Sequence, residues 1–213
     1  MAGYWRRYGI IILALAAIAA VSAGLLSIRG RPLDIAIFRA INAGLAGPAL
    51  DALGYLGDAL GTFWLSLALF AALFFAGYRR FGLSSLGAIA TGALLVVLIK
   101  YLAATPRPPM MLAGVRVVGF PELTPAFPSG HAEQAFLTAY LLVSYFLFRW
   151  YVQAALYGAA ACVGLSRIYV GAHLPSDVAA GALIGVLWGM LWVHTRLWPG
   201  RHRAQPQAGG DQT

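Results

Sequence analysis

The feature that most restricts this chain is a series of apolar stretches, each about the length of a membrane crossing and all but the last ending at a cation. Residues 10–28 stop at Arg29, 59–78 at Arg79-Arg80, 81–99 at Lys100, 129–148 at Arg149 and 150–166 at Arg167; 178–198 lead into the tail. A helix rises about 1.5 Å per residue, so ~20 such residues cross the ~30 Å hydrocarbon layer. Composition agrees: 61% of the 213 residues are hydrophobic and only 10% charged, against about 25% charged in soluble domains. The expected fold class is all-α, a polytopic membrane protein of six transmembrane helices with its site at the outer ends of the helical bundle. The net charge of +8 is spread in short clusters rather than a stripe, so no nucleic acid partner is expected.

Residues 10–28 are longer than the 7–15-residue core of a signal peptide. A retained span is favoured over cleavage near Val21-Ser22-Ala23. Residues 29–58 mix charges with apolar positions; 34–45 read as a short amphipathic helix broken at Gly47-Pro48, lying along the interface over the site, or as a plain connection. Residues 59–78 and 81–99 read as an antiparallel hairpin. The second carries Gly82, Ser84, Ser85, Gly87, Ala88, Ala90, Gly92 and Ala93, which allow close helix approach. Residues 101–128 hold six prolines and cannot form a continuous helix; Met110, Met111 and Leu112 suit a loop that dips into lipid. Cys162, the single cysteine, reads as a small buried filler and excludes a cysteine-built metal site. Residues 1–198 read as one domain, and 199–213 as a disordered cytoplasmic tail.

Six spans put Arg6, Arg7, Arg79, Arg80, Arg149, Arg196, Arg201 and Arg203 on one side. The other holds Arg29, Arg31, Arg39 and Arg116, besides Lys100, Arg107 and Arg167. The positive-inside rule then places both termini in the cytoplasm. Three short patterns consequently open on the outer face: Lys100 with Arg107-Pro108, Pro128-Ser129-Gly130-His131, and Ser166-Arg167 with His173 and Asp177.

Their chemistry suits a phosphate ester, an anion of nearly two charges with strong acceptor oxygens. Lys100, Arg107 and Arg167 supply cations, and the guanidinium forks match paired oxygens. Ser129 and Gly130 open a helix whose free N–H groups favour an anion. His173 lies just before a helix that begins at Pro175, with Asp177 in the first turn. That carboxylate is placed to accept from one ring nitrogen and leave the other as nucleophile. His131 can donate a proton to the departing oxygen. A metal held by His131, His173 and Asp177 is the rival reading, disfavoured because the three cations repel it. Glu133 reads as a first-turn carboxylate or as a filter against wrong substrates. Arg116 and Glu122 read as solvated loop charges or head-group contacts, and His194 and His202 as solvated or interfacial.

These three patterns, in order and with this spacing, resemble the complete signature of the type 2 phosphatidic acid phosphatase (PAP2) superfamily, over roughly residues 59–198. The resemblance implies a six-helix membrane phosphatase that works through a phosphohistidine, without metal or other cofactor. It implies His173 as nucleophile, Asp177 as its partner, and His131 as the acid. Lys100, Arg107, Ser129, Gly130 and Arg167 would hold the phosphate. Vanadate-dependent haloperoxidases share the signature but are soluble. A transporter would carry charges in mid-span, and a structural membrane protein would not need the full set of cations. The expected partners are membrane lipids and a lipid phosphate substrate in the outer leaflet of a bacterial inner membrane. A polyprenyl diphosphate such as undecaprenyl diphosphate comes first. Lipid A phosphate, phosphatidic acid, phosphatidylglycerol phosphate and lipid-to-lipid phosphotransfer are the alternatives.

Overall fold

Every regular element among the described residues is helical, in the order α1 (Ala2–Ile28), α2 (Pro32–Asn42), α3 (Pro48–Leu60), α4 (Phe63–Phe75), α5 (Arg79–Ala103), α6 (Pro108–Met111), α7 (Gly130–Tyr145), α8 (Trp150–Tyr169) and α9 (Pro175–Val193). The structure, a computed structural model, describes residues 2–119, 122–195 and 197–200. The expectations for the tail at 201–213, including Arg201, His202 and Arg203, and for Arg196 lie outside the described residues, as do the side chains of Arg6 and Arg7. By length and composition the stretches Ile11–Ile28, Arg79–Met111 and Pro175–Val193 can each cross a membrane, and α3 with α4 make a fourth if taken as one bent span. The chain is an integral membrane protein of the all-helical kind.

Two boundaries differ from the sequence reading. Residues 59–78 do not form one helix: α3 ends at Leu60, and α4 starts beyond Thr62 at an angle of 56° to it. The Thr62 hydroxyl accepts from the Leu65 N–H at 3.3 Å, so this residue caps a new helix rather than continuing the old one. The 29–58 region also contains a second helix. Gly47-Pro48, expected only as a break, starts α3, with proline at the first position as in α2.

Glycines set the distance between helices. Along α9, Gly181 lies against the Ser129 carbonyl, Gly185 against the Glu133 carbonyl, and Gly189 against the Tyr140 ring, where a Cβ would come within 2.7 Å. This small-residue stripe lets α7 and α9 touch backbone to backbone. The close packing expected of α5 is present too. Gly82 meets Phe70 and Phe74, Gly87 meets Trp192, and Gly92 meets Glu133, Leu137 and Trp188. Phe70, Phe81, Ile89, Leu137 and Leu141 form the main core, and Phe81 stacks on Tyr145 at 4.0 Å. α1 packs on α9, with Ile18 meeting Val96 and Ile184. Cys162 is exposed on α8, not buried. It faces a cleft against α2 and α3, because α8 turns Val163 and Ser166 inward instead.

The α5–α7 connection is folded down onto the bundle. Ala104 ends α5 in the left-handed region (φ 45), and Thr105 then accepts from Ala126 N–H at 3.0 Å and Phe127 N–H at 2.9 Å. Phe127 is fully buried, which delivers Pro128 and Ser129 to the start of α7. Gly185→Val should therefore force α7 and α9 apart, at a cost of about 1–3 kcal/mol. Gly158 has open space around its Cβ position, so Gly158→Ala is the control. Thermal unfolding in detergent should show a lower midpoint for the first variant alone; equal midpoints would contradict the packing described.

Candidate active site

The site lies at one end of the bundle, where the end of α5, the α5–α7 connection, the starts of α7 and α9, and the end of α8 meet. Of the residues singled out in the sequence, Lys100, Arg107, Ser129, Arg167, His173 and Asp177 are buried, while His131 and Gly130 are partly open. Arg107 Nη1 lies 3.3 Å from His173 Nε2 and donates to the Ala172 carbonyl at 3.0 Å. The Ser129 N–H donates to the Asp177 carbonyl at 2.9 Å, which ties the second pattern to the third. The Ser129 hydroxyl caps α7 through the Ala132 N–H.

Several positions depart from the simple picture of open cations. Lys100 Nζ donates to the Pro125 carbonyl at 2.6 Å and more weakly to Ala126. It braces the connection that leads into Pro128. The Ser129 N–H, expected to be free for an anion, is used by Asp177. Asp177 Oδ2 stands 3.7 Å from His173 Nδ1, beyond hydrogen-bond length, because that oxygen accepts from the Leu174 N–H at 2.9 Å. Nδ1 accordingly has no partner. The guanidinium facing Nε2 can only donate, so Nε2 is the ring's acceptor and Nδ1 carries the hydrogen. Burial holds the His173 imidazole well below its ordinary pKa. Asp177 opposes this, and Arg107 and Lys100 add to it, so the ring is neutral near pH 7.

Acidic residues outside the patterns complete the site. Glu122 accepts from Arg107 Nη2 at 2.5 Å and pairs with Arg167 through its other oxygen. Asp58, at the end of α3, pairs with Arg167 and lies 3.2 Å from His131 Nε2. Glu122, expected as a solvated loop charge, is thus turned into the site by two guanidiniums. Arg116 is instead clamped to Asp51, with its guanidinium 5.4 Å from the Tyr169 ring centre. Among the described residues, the ligand-type atoms close enough to share an ion belong to Asp58, Glu122 and His131, not to the trio considered from sequence. Both carboxylates of that group already pair with arginine.

Glu133 lies in the first turn of α7, as expected. It is fully buried against Gly92 and accepts from Gln134 at 2.8 Å. His194 is exposed, with Nδ1 2.7 Å from the Met190 carbonyl. Above the arginines opens a cleft of about 520 Å³. Asp58, Arg107, Glu122 and Arg167 form its polar floor, and Tyr55, Met110, Val117, Leu123 and Val170 its walls. Met110 and Leu123 are 79% and 97% exposed at its rim.

Such a fold and site define a class: a membrane helical bundle whose mouth gathers arginines, carboxylates and histidines. Residues 81–201, over half of the chain, match the family model described as the PAP2 superfamily, and the chain belongs to that superfamily. It resembles the crystal structure of Aquifex aeolicus LpxE with a TM-score of 0.67 and 28% identity, covering 78% of this chain and 98% of that one. A second similar structure is the first transmembrane PAP2 type phosphatidylglycerolphosphate phosphatase from Bacillus subtilis, with a TM-score of 0.66 and 27% identity, over 85% of this chain and 92% of that one. Shorter sequence matches link it to the bacitracin transport permease protein BcrC of Bacillus licheniformis (44% over 66 residues) and to a lipid A 1-phosphatase of Rhizobium johnstonii (41% over 68 residues). Each covers 31% of this chain, and the match spans 31% and 26% of those two relatives.

Since Asp58 and Glu122 neutralise the cations that an incoming anion needs, their neutral variants should bind anions better. Asp58→Asn and Glu122→Gln should each tighten orthovanadate binding, on the order of tenfold, as a competing charge-assisted contact is lost. Calorimetric titration in detergent reads this directly. Unchanged or weaker binding in both variants would mean that these carboxylates do not compete for the seat.

Proposed function

We propose that this chain is a membrane phosphatase that hydrolyses a lipid phosphate or diphosphate through a phosphohistidine on His173. The observation that carries the reading is the 3.3 Å contact between His173 Nε2, which is buried, and Nη1 of Arg107, which lines the cleft. It links the ring's acceptor nitrogen to a cation of the cleft, and a phosphoryl group that takes over this guanidinium would be within reach of attack. In the first step Nε2 attacks phosphorus, the bond to the leaving oxygen breaks, and that oxygen takes the proton of His131. In the second step His131 removes a proton from water, the hydroxide attacks phosphorus, and the N–P bond breaks to release phosphate. Arg107 and Arg167, with Lys100 and the α7 start at Ser129 and Gly130, stabilise charge on the equatorial oxygens. Asp177, 3.7 Å from Nδ1, orients the His173 ring by its charge. No step calls for a metal.

A lipid substrate is supported by the shape of the cleft, with arginines at its floor and apolar walls that open at the rim. Similarity to BcrC and to the lipid A 1-phosphatase agrees with a lipid-linked phosphate. Our first choice of substrate is a polyprenyl diphosphate cut to the monophosphate. The lipid A 1-phosphatase match favours a second reading, a glycolipid 1-phosphate. We further infer six spans, with α7 and α8 added to those of sufficient apolar length, residues 1–198 acting as one domain, and the site facing away from the cytoplasm. The cation count of the connections supports that orientation.

A phosphate-release panel in detergent should show polyprenyl diphosphate turned over fastest, ahead of lipid A, phosphatidic acid and phosphatidylglycerol phosphate; equal rates on all would remove the specific assignment. Excess chelator should leave the rate unchanged. His173→Ala should lose at least about 10³-fold in rate, the scale seen when a nucleophile is removed. His131→Ala should stop turnover or leave phosphate on the protein. Wild-type rates in either variant would refute the mechanism.

A further inference from the structure

A buried arginine outside all three patterns reaches into the site. Arg29 follows α1 directly, and its Nε donates to Asp177 Oδ1 at 2.6 Å, with both side chains almost wholly buried. Its Nη2 donates to the Pro106 carbonyl at 2.6 Å and lies 3.4 Å from Asp177 Oδ2. One guanidinium therefore joins the end of α1, the connection that carries Arg107, and the carboxylate at the start of α9. The direction of the side chain is built into the corner. Gly30 turns the chain with φ 73 and donates to Asp34 Oδ2 at 2.9 Å, while Asp34 on α2 accepts from the Ser176 N–H and hydroxyl at 2.9 and 2.7 Å. The α1–α2 corner is thereby fastened to the first turn of α9 at two adjacent residues.

We propose that Arg29 is a positioning residue of the catalytic site, holding the Asp177 carboxylate at a fixed distance from His173 and sharing its negative charge. The inference rests on His173 being the nucleophile and Asp177 its orienting partner. Asp177 has two oxygens and three claimants. Arg29 takes Oδ1, the Leu174 N–H takes Oδ2, and His173 Nδ1 stands 3.7 Å from Oδ2. An aspartate with its full charge beside His173 would favour the imidazolium, which cannot attack phosphorus. Arg29 draws part of that charge away and leaves the ring neutral. It also stops the carboxylate from rotating on its χ2. The other charged groups acting on this pair are Lys100 from α5 and Arg107 from the connection, which also act on His131 of α7, and Asp34 from α2 through Ser176. Lys100 and Arg107 act in the same sense as Arg29; only Arg29 is bonded to the carboxylate.

The test uses the full chain in detergent micelles with farnesyl diphosphate as probe, following phosphate release from pH 4.5 to 9. Wild type and His173→Ala come first: release by the former and none by the latter is the reading on which Arg29 depends, and the reverse would remove both. Arg29→Gln should lower kcat on the order of 10- to 100-fold with KM little changed, as a misplaced catalytic group does. Its acid limb should rise by about half to one pH unit, because the uncompensated aspartate raises the pH at which His173 becomes neutral. Arg29→Lys keeps the charge and should return the acid limb to the wild-type position, even if kcat recovers only in part. In an Asp177→Asn background, Arg29→Gln should add less than about threefold, since it acts through the missing carboxylate. An acid limb unmoved in Arg29→Gln, or losses that multiply fully with Asp177→Asn, would overturn the proposal and leave Arg29 as an anchor of α1. The same holds if Arg29→Lys and Arg29→Gln unfold alike.

Discussion

A guanidinium removed from water must keep its charge and find oxygen to hold it, and the mouth of this bundle is built around that requirement. Arg29, Arg107 and Arg167 have side chains no more than 5% exposed, and each is answered by a carboxylate. The pairs form two networks. One runs from His131 through Asp58, Arg167 and Glu122 to Arg107. The other joins Arg29 to Asp177. They meet at His173, between the guanidinium of Arg107 and the carboxylate of Asp177. Lys100 satisfies the same requirement with two backbone carbonyls. The cluster of buried cations is thus held together by the protein's own carboxylates. A partly satisfied set of buried charges is costly, so removing any one member affects the others.

Helix packing makes these networks possible. The glycine stripe of α9 brings its backbone against that of α7, and the Asp177 carbonyl can then reach the Ser129 N–H. His131 lies in the first turn of α7 and His173 just before α9. α3 lies against α8 because Gly54 and Gly57 accept Tyr169, Val170 and Ser166 at short range. That contact, together with the break at Thr62, places Asp58 beside Arg167. Had residues 59–78 continued as one helix from 48, the carboxylate would have no reason to face the site.

Much of the site was legible in the sequence because it combines chemistry with position. Lys100, Arg107, Ser129, Gly130, His131, Arg167, His173 and Asp177 lie where apolar runs end, and a cation or imidazole at such an edge stands out against its surroundings. Asp58 and Glu122 did not stand out. They lie in mixed-charge segments, where a charge facing solvent and a charge facing a buried partner look alike. Arg29 does end an apolar run, but so do Arg79 and Arg149, and the run end alone does not show which of them turns inward. Glu133 lies in the first turn of α7 as expected, but its burial was not legible, because a carboxylate there suits the helix dipole whether it faces water or a neighbouring helix. Cys162 also went the other way, since a residue in mid-run is buried in a soluble core but can face a lipid-side cleft in a membrane bundle.

Sequence alone determined that the chain is helical and membrane-embedded, because uninterrupted apolar runs leave a backbone in lipid no partner but its own helix. It also showed where cations and imidazoles gather, at the ends of the apolar runs and in the connection after Lys100. Tertiary structure decided who is paired with whom. The 56° bend before α4, the turn at Gly30 and the folded connection after Ala104 each bring a charge from a distant part of the chain onto a partner. Linear spacing carries no record of such encounters, because they depend on how closely two helices approach and which way each is rotated.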